Sequence, residues 1–409
     1  MAHLLDYLDW YGDLDFDAVP FNEVDNLILS QVSYLDLSAV VPAGEPIDLS
    51  HAARAFADHT ASEDLGPLLS PDLMDLLQRM ASTGRRFSGA TLSAYESVLD
   101  VATHEQFGAV VVGLADGSSY VSFRGTDASL VGWLEDCEMS YKVVPSQVHA
   151  LDYLERVGAA TSGPLHVGGH SKGGNLAAYA TSRCSQAIRD RVVAVWCNDS
   201  PGFDEQVVPL ASLEPIASRI HLFTPGYSVV GALFEHLADP VVVRSDGVGI
   251  MEHSAMDWRV MRGDLVRGER PGDGTVYVNK AFDQLLCSRD LTGRKKLLDD
   301  LYQALAVQGI TSLDDMLSNG GAGLASTLAS LQSLDDDDRK VMQDFLWGIA
   351  GGAMADAVAP AAKQLGDAVS GAIADARAGA QQLVADLKAR SEETRDDDQP
   401  GLPAADEES

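Results

Sequence analysis

Residues 165–184 read LHVGGHSKGGNLAAYATSRC, and this stretch decides the fold. Leu165 to Gly169 is a short apolar strand, and the alanine-rich run from Gly173 is a helix. Between them lies Gly169-His170-Ser171-Lys172-Gly173, a G-x-S-x-G pattern. A strand that passes directly into a helix must bend sharply. A side chain two places from the serine would then clash with the neighbouring helix or strand, which is why glycines stand there. The bend lifts Ser171 to the tip of the turn at a helix N-terminus. The backbone N–H of Lys172 then points toward the place where an oxyanion would form.

Working outward, AVVVGL (109–114) and YVSFRG (120–125) flank Asp116-Gly117 and predict a hairpin. A helix is expected around 148–157. Downstream come the apolar strands VVAVWC (192–197), RIHLF (219–223) and PVVVR (240–244). Short, non-alternating strands separated by helices predict a mainly parallel sheet covered on both faces, so the fold class is α/β. Residues 1 to about 100 read as helical and irregular. Their clearest signal is Ser70-Pro71 before DLMDLLQRM, a helix start with Leu73, Leu76, Leu77 and Met80 on one face.

The strands stop near residue 290. Residues 291–348 carry helical periodicity. Over Ala350–Ala389, Leu365, Val369, Ile373, Ala376, Ala380, Leu383 and Leu387 form one weak apolar stripe. From Ser391 onward acids dominate, which predicts disorder. The expected organisation is a catalytic domain over 1–290, a helical extension over 291–348, and an alanine-rich helix with an acidic tail over 349–409.

The chain has 409 residues, 46% hydrophobic and 22% charged, a composition able to bury a core. Lysine plus arginine is 29 against 61 for aspartate plus glutamate, a net charge of −32. Such a chain is repelled by nucleic-acid phosphates and by anionic headgroups, and no basic run offsets this. Nucleic acid is therefore not an expected partner. Cys137, Cys184, Cys197 and Cys287 lack paired CxxC spacing and read as buried hydrophobes in a reducing compartment. The start, MAHLLDYLDWYGDLDFD, puts acids where a signal peptide needs positive charge. No apolar run approaches the roughly 18 residues of a membrane span. A soluble, cytoplasmic protein without stable membrane insertion is expected. Asp335-Asp336-Asp337-Asp338 lacks the alternation and glycine of a calcium loop, so no metal is expected.

A second constellation lies upstream: Phe123-Arg124-Gly125-Thr126-Asp127, then Trp133 and Asp136. With GHSKGGNLA (169–177) and NDSPGF (198–203), these residues resemble the class 3 lipase family of α/β-hydrolases. The likeness is closest to a bacterial lipase-like branch, a domain of unknown function. It covers roughly residues 20 to 265 and leaves the tail unmatched. It implies an α/β-hydrolase fold and a serine hydrolase that cleaves a carboxylic ester of a small molecule or lipid through a Ser-His-acid triad, without a cofactor. By this resemblance Thr126 matches the oxyanion-hole residue, with backbone N–H and hydroxyl both facing the developing charge. Its place at a strand end agrees, and Lys172 supplies the second donor. Arg124 and Trp133 brace the loop.

A serine hydroxyl needs an adjacent base. His253, in GIMEHSAMDW (249–258), follows the last predicted strand, where the family also has a histidine. His166, His170 and His221 read as packed or locally hydrogen-bonded. The acid departs from the family pattern, which usually places an aspartate after the next-to-last strand. Here RIHLFTPGYSVVG (219–231) runs through Thr224 to Ser228 without an acid. Asp199, directly after VVAVWC at the sheet edge where such sites form, is preferred; its other reading is to fix the NDSPGF turn. Asp246, after PVVVR, is the second candidate. Ser228 could also orient the imidazole by a neutral hydrogen bond. The Lys172 ammonium either favours an anionic substrate or, the preferred reading, pairs with a nearby carboxylate. GALFEH (231–236) is compatible with a groove lining or with a packed helix. The alternative function is a hydrolase fold retained as a binding or scaffold module whose acidic tail recruits a protein partner. The missing acid at 228 is its main support.

Overall fold

The apolar runs in the middle of the chain pair into one sheet. The computed structural model describes residues 2–59, 72–82, 84–127, 129–269, 275, 286, 288–307 and 339. The chain divides into two compact units, Met1–Ala353 and Met354–Ser409, and every described residue lies in the first. Helices α1 (Leu4–Tyr11) and α2 (Glu23–Val32) come first, then strand β1 (Ile47–Asp48) and helices α3 (Leu49–His59) and α4 (Asp72–Ser82). Strands β2 (Thr91–Asp100), β3 (Glu105–Gly113) and β4 (Ser119–Phe123) follow. Helices α5 (Leu130–Glu138) and α6 (Pro145–Ala160) lead to β5 (Leu165–His170). Helices α7 (Lys172–Arg183) and α8 (Gln186–Arg189) lead to β6 (Val192–Asn198), β7 (Ile220–Pro225) and β8 (Val241–Val243). A small hairpin of β9 (Val260–Met261) and β10 (Asp264–Leu265) and helix α9 (Leu291–Val307) complete the described elements.

Strands β1 to β8 lie side by side in chain order. Pairing is antiparallel from β1 to β4 and parallel from β4 to β8. Side chains of β3 alternate between two cores. Val110 and Val112 pack with α1 to α4, while Phe107, Ala109 and Val111 pack with α6 and α7. With both faces covered the strands read as continuous apolar runs, and the topology is that of an α/β-hydrolase. No helix of the described residues is long and apolar enough to cross a membrane.

The register aligns the strand ends. Phe123 pairs with Gly169, His170 with Asn198, and Asn198 with Phe223. The segments that leave β4, β5, β6 and β7 therefore emerge together at one edge, carrying Thr126, Ser171, Asp199 and Ser228.

One expectation needs correction, and one open alternative closes. The stretch TLSAYESVLD, read as irregular, is the ten-residue strand β2. It is half-exposed and carries Ser, Glu and Asp among its apolar residues, and a bulge between Ser93 and Glu96 breaks its alternation; pairing with β3 makes it a strand. GALFEH is not a helix either. Phe234 has φ +63°, and Glu235 bridges to Phe203. Helix α4 carries Leu73, Leu76, Leu77 and Met80 on its buried face as its spacing predicts. Ser70-Pro71, Cys287, Asp335–Asp338, the alanine-rich stripe and the acidic tail lie outside the described residues.

A Cβ on Gly173 would sit on the Phe123 carbonyl oxygen and 2.8 Å from the Phe123 carbonyl carbon. Backbone cannot yield as a flexible side chain does, so Gly173→Ala should lower unfolding free energy by about 1–3 kcal/mol in urea titration. His166, whose ring stacks on Phe21 at 3.9 Å and accepts from Trp196 Nε1 at 3.3 Å, is pushed down to about 4 by burial. The unfolded histidine takes its proton near pH 6.5. The contribution of neutral His166 is therefore complete above pH 6.5 and drains as pH falls toward 4. The melting temperature of His166→Phe should fall less between pH 7 and pH 4 than that of the wild type.

Candidate active site

Ser171 adopts φ +58° and ψ −135°, a conformation that side chains rarely take. Its neighbours force the bend. Cβ atoms at Gly169 and Gly173 would both fall on the Phe123 carbonyl oxygen. One at Gly174 would stand 2.7 Å from Ser200 Cβ and 2.9 Å from Cys197 Cα. The Ser171 N–H donates to the Asn198 carbonyl at 2.9 Å, and Asn198 Nδ2 donates to the Gly169 carbonyl at 3.0 Å. The Ser171 hydroxyl does not cap α7, although it stands at the N-cap position. Ser171 is buried, and its hydroxyl is not spent on the helix.

The loop after β4 passes directly over this turn. A Cβ on Gly125 would stand 2.8 Å from Ser171 Cβ and 2.6 Å from the His170 carbonyl oxygen. Thr126 follows. Its hydroxyl donates to Asp136 Oδ2 at 2.6 Å, so the single proton expected to face an oxyanion is directed to a carboxyl instead. That corrects the expectation for the side chain and leaves the Thr126 N–H as the group available on this loop. Burial pushes the Asp136 carboxyl up to about 6; the Lys172 ammonium and the Thr126 hydroxyl pull it down, and Glu135 and Asp127 push it further up. Arg124 braces the loop from outside, donating to Ser97 Oγ and the Phe107 carbonyl at 3.2 Å each.

Lys172 opens α7, and first-turn amides of a helix have no intrahelical acceptor. Its ammonium is wholly buried and donates at 2.8 Å to Glu135 Oε2, Gln106 Oε1 and the Gln106 carbonyl. All three of its donors are taken, so it is not presented to a ligand.

His253 ends a single 3-10 turn, Gly249–His253, and is a quarter exposed. Its Nδ1 stands 2.6 Å from Asp199 Oδ2. A carboxylate accepts, so Nδ1 carries the proton and the lone pair of a neutral ring lies on Nε2. Asp199 is fully buried with φ +45°. Its other oxygen, Oδ1, accepts from Ser228 Oγ at 2.5 Å and from Thr224 Oγ1 at 2.9 Å. Ser228 therefore bonds to the acid and not to the imidazole. Asp246 is elsewhere: it pairs with Arg259 and, at 2.9 Å, with His3 on the surface.

Sequence reasoning missed the clamp beneath His253. His170 Nε2 stands 2.7 Å from the His253 carbonyl, which only accepts; Nε2 therefore donates, and Nδ1 accepts from Tyr34 Oη at 2.9 Å. The two imidazoles lie 4.4 Å apart between centroids, tilted by 37°. Burial, and then the neighbouring His253, push His170 down to about 3, which keeps it neutral in this role. Tyr34 follows α2, in a region without a readable motif, and no local pattern announces that it reaches the site. Trp258, fully buried, donates to the Glu252 carbonyl at 2.9 Å and anchors the same loop. Among the described residues no group of three or more His, Cys, Asp or Glu side chains could hold a metal.

A family model matches residues 81–303, more than half of the chain, including Thr126, Ser171, Asp199 and His253. The chain belongs to the Mbeg1-like family. Family and topology together make it a lipase-like, hydrolase-type scaffold. Comparison with curated proteins finds no match. Among solved structures the chain is similar to a crystal structure of M37 lipase, at 14% identity and a TM-score of 0.31, over 51% of this chain and 69% of that one. The fold assignment rests on the strand order and the turn at Ser171.

Replacing His170 by Leu leaves Tyr34 Oη and the His253 carbonyl without their partner. A loss of about 1–3 kcal/mol is expected for such a buried group, readable by urea unfolding.

Proposed function

We propose that this Mbeg1-like protein is a serine hydrolase that cleaves a carboxylic ester. The observation that carries the reading is the 2.6 Å bond from His253 Nδ1 to the buried Asp199 carboxylate, at the same sheet edge as the strained Ser171 turn. Ser171 Oγ attacks the ester carbonyl while His253 Nε2 takes its proton. The N–H groups of Thr126 and Lys172 receive the charge on the carbonyl oxygen. The tetrahedral adduct collapses, the C–O bond breaks, and His253 returns the proton to the leaving alcohol. Water, deprotonated by His253, then releases the acid and restores Ser171. Asp199 holds the imidazole in the required tautomer and stabilises its charged form, with Ser228 and Thr224 fixing the carboxylate.

Substrate class follows from what is exposed. The Lys172 ammonium is consumed inside the protein, so it cannot recruit an anionic group. Val248 and Met251 beside His253 are 50% and 57% exposed, which suits an apolar acyl or alcohol part. The rival reading, a binding or scaffold module, rested on serine at position 228. That hydroxyl has a use in supporting Asp199, and the scaffold reading loses its main argument.

Labelling of the purified protein with a fluorophosphonate probe tests the proposal. Wild type and Asp246→Asn should label alike, and Ser171→Ala not at all. Asp199→Asn should lose about 10²–10⁴-fold in ester turnover. An unlabelled, well-folded wild type, or turnover lost on Asp246→Asn and kept on Asp199→Asn, would defeat the assignment.

A further inference from the structure

Lys172 has two ends with different surroundings. Its N–H opens α7 beside Ser171, and its ammonium lies fully buried among Gln106 at the start of β3 and Glu135 on α5. Glu135 is itself saturated. Oε2 accepts from Lys172 Nζ at 2.8 Å and from the Gln106 N–H at 3.0 Å, while Oε1 accepts from the Ser146 N–H at 2.9 Å, in the first turn of α6. The next residue, Asp136, accepts from the Thr126 hydroxyl at 2.6 Å and places Oδ1 3.9 Å from the same ammonium. Consecutive carboxylates on one helix thus hold the two loops that carry the proposed oxyanion donors.

We infer that the buried Lys172–Glu135 pair is a positioning device that fixes the Lys172 N–H relative to the Thr126 loop. The inference rests on the ester-hydrolase reading. The attraction between the two charges adds little net stability by itself, because desolvation of a buried pair offsets much of it. Direction is what the ions add. An ammonium with three bonds at 2.8 Å has one place to sit, whereas an apolar chain in the same cavity can slide and take the first turn of α7 with it. An oxyanion hole acts only when its donors stand at the position the charge will occupy, so a small drift of one amide costs rate and not binding.

The test is the double variant Lys172→Met/Glu135→Leu, assayed on 4-nitrophenyl butyrate beside wild type, with melting temperatures for both. The expected result is a melting temperature below that of wild type, since the buried Gln106 and Ser146 N–H groups lose their acceptor, KM within about twofold, and kcat lower by roughly 10- to 100-fold, short of the 10²–10³ for a donor removed outright. A double variant that turns over at the wild-type rate overturns the inference, since the pair is then only packing. Should the double variant fail to fold, Glu135→Gln keeps the shape and weakens the ion pair. Lowered kcat at unchanged KM then supports the inference, and an unchanged kcat overturns it. A wild type that the fluorophosphonate probe leaves unlabelled fails at the earlier step, and the inference falls with the hydrolase reading.

Discussion

One close approach governs the molecule: the turn at Ser171 pressed against the carbonyl oxygen of Phe123. Strand β4 ends there, and Gly169 and Gly173 both face that oxygen with room for a hydrogen and nothing larger. A serine at φ +58° costs of order 1–3 kcal/mol, and it persists only where the surroundings over-determine it. The surroundings here are the parallel register of β4 to β7, the bond from the Ser171 N–H to Asn198, and the Asn26–Asn198–Tyr120 network beneath. Loosening the contact between Phe123 and the glycines would remove the reason for the bend, and with it the display of the hydroxyl.

The parts around this turn are held by buried charge as much as by apolar packing. Arg86 pairs with Asp25 in full burial and also donates to the carbonyls of Leu14 and Val19, tying the N-terminal segment to α2. Arg294 reaches Asp204 at 2.5 Å and the Ser140 carbonyl at 2.6 Å, tying α9 to the loop after β6. With Lys172 and Glu135 these make three ion pairs, each joining stretches distant in the chain. Such pairs add little net stability once desolvation is counted, but they tolerate few geometries. That suits a scaffold whose rim must stay in register across several loops.

The carboxylate that meets His253 is held from two strands at once. The strand that precedes Ser228 carries no acid, and the hydroxyls of Ser228 and Thr224 instead converge on a carboxylate supplied by the neighbouring strand. Adjacent parallel strands end about one strand spacing apart, so an acid from either can reach one imidazole. Gly231 completes the arrangement, since a Cβ there would run into Asp199 Oδ1.

Local chemistry in the chain was enough to determine the strand-turn-helix at Ser171, the hairpin of AVVVGL and YVSFRG, the parallel run of apolar strands and the apolar face of α4. Each depends on periodicity or on glycines within a few residues, and such patterns survive any context. Only the tertiary structure decided that TLSAYESVLD is a strand, that Tyr34 and His170 clamp the His253 loop, that Thr126 turns its hydroxyl to Asp136, and that Asp199 and not Asp246 faces His253. Those outcomes depend on contacts between residues from five to more than a hundred positions apart. A buried polar side chain finds its partner through space, and its sequence neighbours carry no trace of where that partner will be.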